Sequence, residues 1–206
     1  MKIIYCAGEQ ARVVLDILTR ASVEDIVLLD DDETRHGDVV RGHEVLGGAA
    51  ALDELDPETD AAIAAFGRRP GVRLDIAATL EDRGFDFFSA VDVEATVSET
   101  AVLGDGVMIN AETYVGPGVT VEDHTLVDSL VNVSHDVTIG EGATITPHAT
   151  LAGGVTVGRN AYVGAGATVT DHVAVGDGAV VGAGAVVLDD IPAETTVVGV
   201  PAEPVG

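Results

Sequence analysis

The residues best placed to do chemistry are an adjacent pair, His135 and Asp136, in the stretch SHDVTIGEGATITPHATLAGG (134–154), whose other members are mostly small or β-branched. An imidazole, with an ordinary pKa near 6.5, can take a proton from a hydroxyl or an amine at neutral pH. A carboxylate bonded to its other nitrogen would fix the tautomer and stabilise the imidazolium, provided the backbone turns enough for neighbouring side chains to meet. The pair therefore fits proton transfer by a histidine base that a neighbouring acid orients. A covalent intermediate is not expected, because the only cysteine, Cys6, lies far away in the sequence and no Ser/His/Asp hydrolase pattern is visible. A lone cysteine also excludes an intrachain disulfide and a thiolate metal cluster.

The element that must position this pair is a repeat. From Val97 to Val187 an aliphatic residue recurs at every sixth position, through Ile109, Val121, Val133, Ile145, Val157, Val169 and Val181 among others. Two residues before it sits a small or β-branched residue, such as Ala95, Val107, Ala143 or Ala167, and glycine often follows it, as at Gly104, Gly116 and Gly140. A period of six fits neither an α-helix nor an alternating hairpin, but it fits a parallel β-helix of hexapeptides, three to each triangular coil. The 16 hexapeptides make about five coils, roughly 25 Å of prism at about 4.8 Å per layer. His135 and Asp136 occupy the third and fourth places of VSHDVT, where the period demands neither.

The other histidines read more blandly. His124, His148 and His172 are expected on the repeat surface, and His36 and His43 in loops. Two coils on from His135 is Asp171, so His172 should share its corner about 10 Å along the axis. That is too far for one metal ion, with ligand distances near 2 Å, to take both histidines within a subunit. No metal site is expected. The crossover rule taken alone would favour a right-handed coil.

Residues 1–90 follow another grammar. KIIYC, DIVLLD and DAAIAAFG read as strands, EQARVVLDILTRA, GGAALDELDP and PGVRLDIAATLEDRG as helices, and FDFFSAV as a last strand. Alternation of this kind predicts βαβ units, a small Rossmann-like α/β domain ahead of an all-β domain over 91–206. Ligands in such sheets lie at the carboxyl ends of the strands: here CAGEQ, the acids Asp30 to Asp32, and FGRRPGVR. CAGEQA has one glycine, Gly8, where a dinucleotide fingerprint needs three, so a nicotinamide cofactor is not expected.

Composition narrows the partners. The 206 residues carry 35 acidic against 10 basic side chains, a net charge of −25, and Lys2 is the only lysine. Nucleic acid and anionic membrane surfaces are disfavoured, since both need clustered Lys and Arg. The acids are dispersed, which reads as a halophilic surface on which screening makes self-repulsion tolerable. No apolar run is long enough to cross a membrane and the N-terminus turns polar too early for a signal peptide, so a cytoplasmic protein is expected.

The repeats, the βαβ domain ahead of them, SHDVTIGEG and the closing TTVVGVPAEPVG together resemble the hexapeptide-repeat, left-handed β-helix acyltransferases. Within that class they resemble the sialic acid O-acetyltransferases and UDP-amino-sugar N-acetyltransferases of bacterial glycan synthesis. The resemblance implies a left-handed coil and a homotrimer, with acetyl-CoA as co-substrate in the groove between neighbouring β-helices. The acceptor would be an amino sugar or sialic-acid-like sugar, nucleotide-linked and held partly by the N-terminal domain. It further implies His135 as the base and Asp136 as its orienting acid. Thr144, Gly153, Ala165 and Ala183 fall on the cofactor side; Gly8, Gln10, Asp30, Asp31, Gly67 and Arg73 fall on the sugar side. The chain departs from the family pattern in having Gln10 and Thr144 where histidines are usual, His148 in place of a glycine, and Glu203 in place of a basic residue. A γ-type carbonic anhydrase, which uses three histidines on the same β-helix, is the rival enzyme reading, and a non-enzymatic trimeric scaffold is the third.

Overall fold

The computed structural model describes residues 1–67 and 71–205; Arg68, Arg69 and Pro70 of the FGRRPGVR loop lie outside the described residues. The chain divides into two compact units, the first ending at Ala90 and the second beginning at Val91.

The first unit is a six-stranded sheet with helices. Its strands are β1 (Lys2–Tyr5), β2 (Ile26–Leu29), β3 (Val39–Val40), β4 (His43–Gly47), β5 (Ala61–Ala64) and β6 (Asp86–Phe87), in the order β3-β4-β2-β1-β5-β6. β1 runs parallel to both β2 and β5, pairing Tyr5 with Leu29 and with Ala64, so the carboxyl ends of all three emerge at one edge. Helix α1 (Glu9–Arg20) buries Ala11, Val14, Leu15, Ile17 and Leu18, a stripe at helical spacing. Helix α2 (Val72–Glu81) buries Leu74, Ala77 and Leu80. Ile3, Tyr5, Val27, Leu29, Leu52, Ala62, Leu80 and Phe85 close the core.

Three details differ from the sequence reading. GGAALDELDP forms a 3-10 turn at Ala49–Glu54 rather than an α-helix. FDFFSAV splits into β6 and a second short strand, Ala90–Val91. An antiparallel hairpin, β3 with β4, adds an edge that no alternation announced. Its signal was the Arg41-Gly42 dipeptide, both at positive φ (50° and 92°) as a two-residue hairpin turn requires.

The second unit is a parallel β-helix. Each hexapeptide contributes a two-residue strand ending on its aliphatic residue, and each strand pairs in parallel with the one a full coil later, as Val115 with Val133 and Val133 with Leu151. The three faces hold eight, six and five strands. The aliphatic residues and those two before them are both buried, so Val107, Ile109, Ala143, Ile145, Ala167 and Val169 all face the axis.

Glycine after the aliphatic residue serves close approach of coils: a Cβ on Gly116 would lie 2.7 Å from the carbonyl oxygen of Ser134, and one on Gly140 would lie 2.8 Å from the amide nitrogen of Arg159. The left-handed backbone falls two residues later. From Gly106 to Gly184 the third residue after every aliphatic position has φ between 55° and 71°. Glycine fills half of these positions; Glu112, His124, Leu130, Asp136, His148, Asn160 and His172 fill the rest. His, Asn and Asp are among the side chains that best tolerate this region, which accounts for three of the four repeat histidines. His135 is the exception. Among the described residues no helix is long and apolar enough to cross a membrane.

Candidate active site

His135 and Asp136 lie in the turn between strands Asn132–Val133 and Thr138–Ile139. Adjacent side chains normally diverge, but Asp136 takes φ 56° and swings its carboxylate back beneath the ring. The His135 Nδ1 to Asp136 Oδ2 distance is 2.9 Å. With Nδ1–H donating to the carboxylate, Nε2 carries the lone pair, and it makes no hydrogen bond among the described residues. Both side chains are well exposed, 61% and 74%. The arrangement can accept a proton at Nε2 and stabilise the resulting imidazolium.

Two glycines make room for the pair. A Cβ on Gly118, one coil earlier, would come 2.6 Å from Asp136 Oδ1. A Cβ on Gly153, one coil later, would come 2.6 Å from both Cε1 and Nε2 of His135. Gly153, expected to offer backbone to a cofactor, leaves room for the His135 ring. The coil after that carries Asp171 and His172 on the same corner. The His172 ring packs over Gly154, where a Cβ would collide with its Nδ1. The Gly153–Gly154 pair therefore has the His135 imidazole against one residue and the His172 imidazole against the other.

The other residues expected on the cofactor side are not on this corner. Ala165 and Ala183 sit in the turns that follow strands Tyr162–Val163 and Val180–Val181, one face earlier along the chain. Thr144 begins strand Thr144–Ile145 on the face opposite the His135 corner, and its side chain is 4% exposed. No single chain brings Thr144, Ala165 or Ala183 to His135. His148 shares the Ala165 corner, whereas His124 is buried. Among the described residues, no three His, Cys, Asp or Glu side chains converge as a metal site would require.

In the first unit, Gly8, Asp30, Asp31 and Gly67 do gather at one place, the carboxyl edge of β2, β1 and β5, with Gln10 in the first turn of α1. Both acids brace loops. Asp30 accepts from the amides of Ala7 (2.8 Å) and Asp32 (3.0 Å), while Arg35 bonds the carbonyl of Ala7 (2.6 Å). Asp31 accepts from the Tyr5 hydroxyl (2.6 Å) and the amide of Ala49 (3.0 Å). Burial, with these two carboxylates adding to it, pushes the Cys6 thiol up to about 12. Arg73, expected on the sugar side, instead turns inward: it is 2% exposed and its Nη1 donates to the carbonyl of Phe66 at 2.5 Å. Burial lowers its guanidinium to about 10, which still leaves it charged at neutral pH. From the buried face of α2 this long cation reaches the backbone at Phe66, just after β5.

Comparison with known proteins follows this division of the chain. Residues 3–80 match the PglD N-terminal domain, and residues 154–189 match the bacterial transferase hexapeptide (six repeats). PerB from Caulobacter crescentus, in complex with CoA and GDP-perosamine, is 32% identical over 100% of this chain and 97% of its own, with a TM-score of 0.92. The acetyltransferase domain of PglB from Neisseria gonorrhoeae, in complex with acetyl coenzyme A, is 32% identical over 99% of this chain and 98% of its own, again with a TM-score of 0.92. A single-residue variant of GDP-perosamine N-acetyl transferase from C. crescentus, with CoA and GDP-perosamine, is 31% identical over 100% of this chain and 96% of its own, at a TM-score of 0.77. Among curated proteins nothing matches the chain significantly.

Proposed function

This chain belongs to the hexapeptide-repeat acyltransferases with a left-handed β-helix, and from that premise we propose that it transfers the acetyl group of acetyl-CoA to the amine of a nucleotide-linked amino sugar. Left-handedness replaces the expectation from the crossover rule alone. An amine acceptor is favoured over a hydroxyl by the whole-chain likeness to a GDP-perosamine N-acetyl transferase.

The observation that carries the mechanism is the 2.9 Å bond from His135 Nδ1 to Asp136, which leaves Nε2 without a partner among the described residues and able to accept a proton. The acceptor nitrogen attacks the thioester carbonyl and passes its proton to Nε2 while the carboxylate balances the imidazolium. Collapse of the tetrahedral intermediate breaks the C–S bond, and the proton moves from Nε2 to the departing thiolate. Gly8, Gln10, Asp30, Asp31 and Gly67 would shape the sugar-nucleotide end, the two acids chiefly by fixing loop backbone.

The working enzyme is a homotrimer in this reading. A cofactor that meets both the His135 corner and the Ala165 and Ala183 corner needs two chains, because one prism turns these corners apart. Release of free CoA thiol from acetyl-CoA with a panel of nucleotide-linked amino sugars, measured for wild type and His135→Ala, tests the proposal. Loss of one general base should lower kcat by roughly 10²- to 10⁴-fold. Equal turnover by both proteins would falsify the assignment.

A further inference from the structure

We infer that His172 binds a phosphate group of one of the two substrates, acting beside His135 as a specificity-determining residue; the inference rests on the transfer reading above. The argument begins with charge. Both substrates of that reading are polyanions, yet residues 91–206 carry 16 acidic side chains and a single Lys or Arg, Arg159. That arginine is already committed, with its Nε 2.7 Å from Glu141 Oε2. The exposed side chains of the β-helix that can still become cationic are therefore histidines.

Of these, only His172 shares the corner of the base. Its position in the left-handed turn (φ 60°) explains a choice among Gly, Asn, Asp and His, but Gly118, Asp136 and Gly154 fill the same column without an imidazole. The ring lies against Gly154, one residue from the glycine that seats His135, and is exposed with no hydrogen bond or ion pair among the described residues. His124 packs over Gly106 in the same way but is buried, so the geometry alone does not make a ligand site. Exposure next to the reacting centre separates the two. The titratable residues on the same corner are His135 and Asp136 two coils back, Asp171 in its own turn, and Asp189 and Asp190 one coil on. Against so many acids an anionic ligand needs a compensating donor here, and a protonated imidazole supplies one charge-assisted bond.

The test uses His172→Asn and His172→Gly, both of which suit the left-handed backbone and so should fold. Steady-state kinetics are measured with acetyl-CoA and with S-acetyl-pantetheine, which lacks every phosphate, varying the acyl donor and the amino-sugar nucleotide in turn. Loss of one charge-assisted bond should raise one KM roughly tenfold or more, with kcat within about twofold. If the phosphate belongs to CoA, the penalty vanishes with S-acetyl-pantetheine. If it belongs to the sugar nucleotide, the penalty persists and appears in that substrate's KM. Unchanged KM values for both variants, while His135→Ala remains inactive, would overturn the inference and leave the transfer reading intact; an active His135→Ala would overturn the reading itself.

Discussion

Gly153→Ala separates seating of the base from stability of the fold. Gly153 is not among the residues with left-handed backbone, so alanine meets no conformational penalty there. Its Cβ, however, would stand 2.6 Å from Cε1 and Nε2 of His135 and 3.2 Å from Nδ1, where ordinary contact begins at 3.4 Å. The ring must retreat by about 0.8 Å, and at 61% exposure it can do so into solvent without opening the core. The 2.9 Å bond to Asp136 then stretches out of range or the ring pivots about it; either way Nε2 leaves its place. A displacement near 1 Å costs on the order of a hundredfold in rate. Thiol-release kinetics should show kcat/KM down by about that factor, while the melting temperature stays within a few degrees or rises, since alanine restricts the unfolded chain. Gly166→Ala provides the opposite signature. With φ at 68° and open space around its Cβ, it should cost about 1–2 kcal/mol of stability and leave turnover per folded molecule unchanged. Retention of kcat/KM within threefold in Gly153→Ala would refute the seating argument.

Three further outcomes are expected. Refolding an equimolar mixture of His135→Ala and Ala183→Trp chains, each inactive alone, should restore about a quarter of wild-type turnover by random assortment if each site is shared by two chains, and none if it lies within one. A thermal melt in KCl from 0.1 to about 3 M should show a midpoint that climbs with salt, because 25 excess negative charges repel one another most at low ionic strength; a flat or falling midpoint would exclude a halophilic surface. The Cys6 thiol, raised to about 12 by burial and by Asp30 and Asp31, stays protonated in the native protein at pH 8. Its reaction with a disulfide reagent should be roughly 10³-fold slower than in the unfolded chain, whose thiol titrates near 8.5. The sign also fixes a stability trend: a thiol acid weaker in the folded state than in the unfolded one makes folding less favourable as pH rises from about 9 towards 12.

The repeat could be read from the sequence because every sixth side chain has one environment, the axis, and burial there rejects anything polar. Its period also places His135, Asp171 and His172 on one corner before any coordinates are seen. What the period cannot show is why two adjacent side chains meet. That depends on the φ of 56° at Asp136, and half of the equivalent positions are glycine, so the one-letter pattern hides a backbone state that His, Asp, Asn, Glu and Leu also adopt. The same state suits His124, His148 and His172 to their turns, so burial and corner, which composition cannot show, tell them apart. In the first unit, the paired acids at the end of β2 were legible as a feature of the edge, yet both oxygens of Asp30 and the Oδ1 of Asp31 already accept bonds from Ala7, Asp32, Tyr5 and Ala49. Arg73 was legible only as a cation near a loop; its burial follows from the face of α2 on which it starts. Sequence spacing therefore locates a residue on an element well, whereas the direction of a side chain is decided by the turn or helix face beneath it. The proposed catalytic pair rests on both constraints together: a position the repeat leaves free, and a left-handed residue that brings a carboxylate to the ring of its own neighbour.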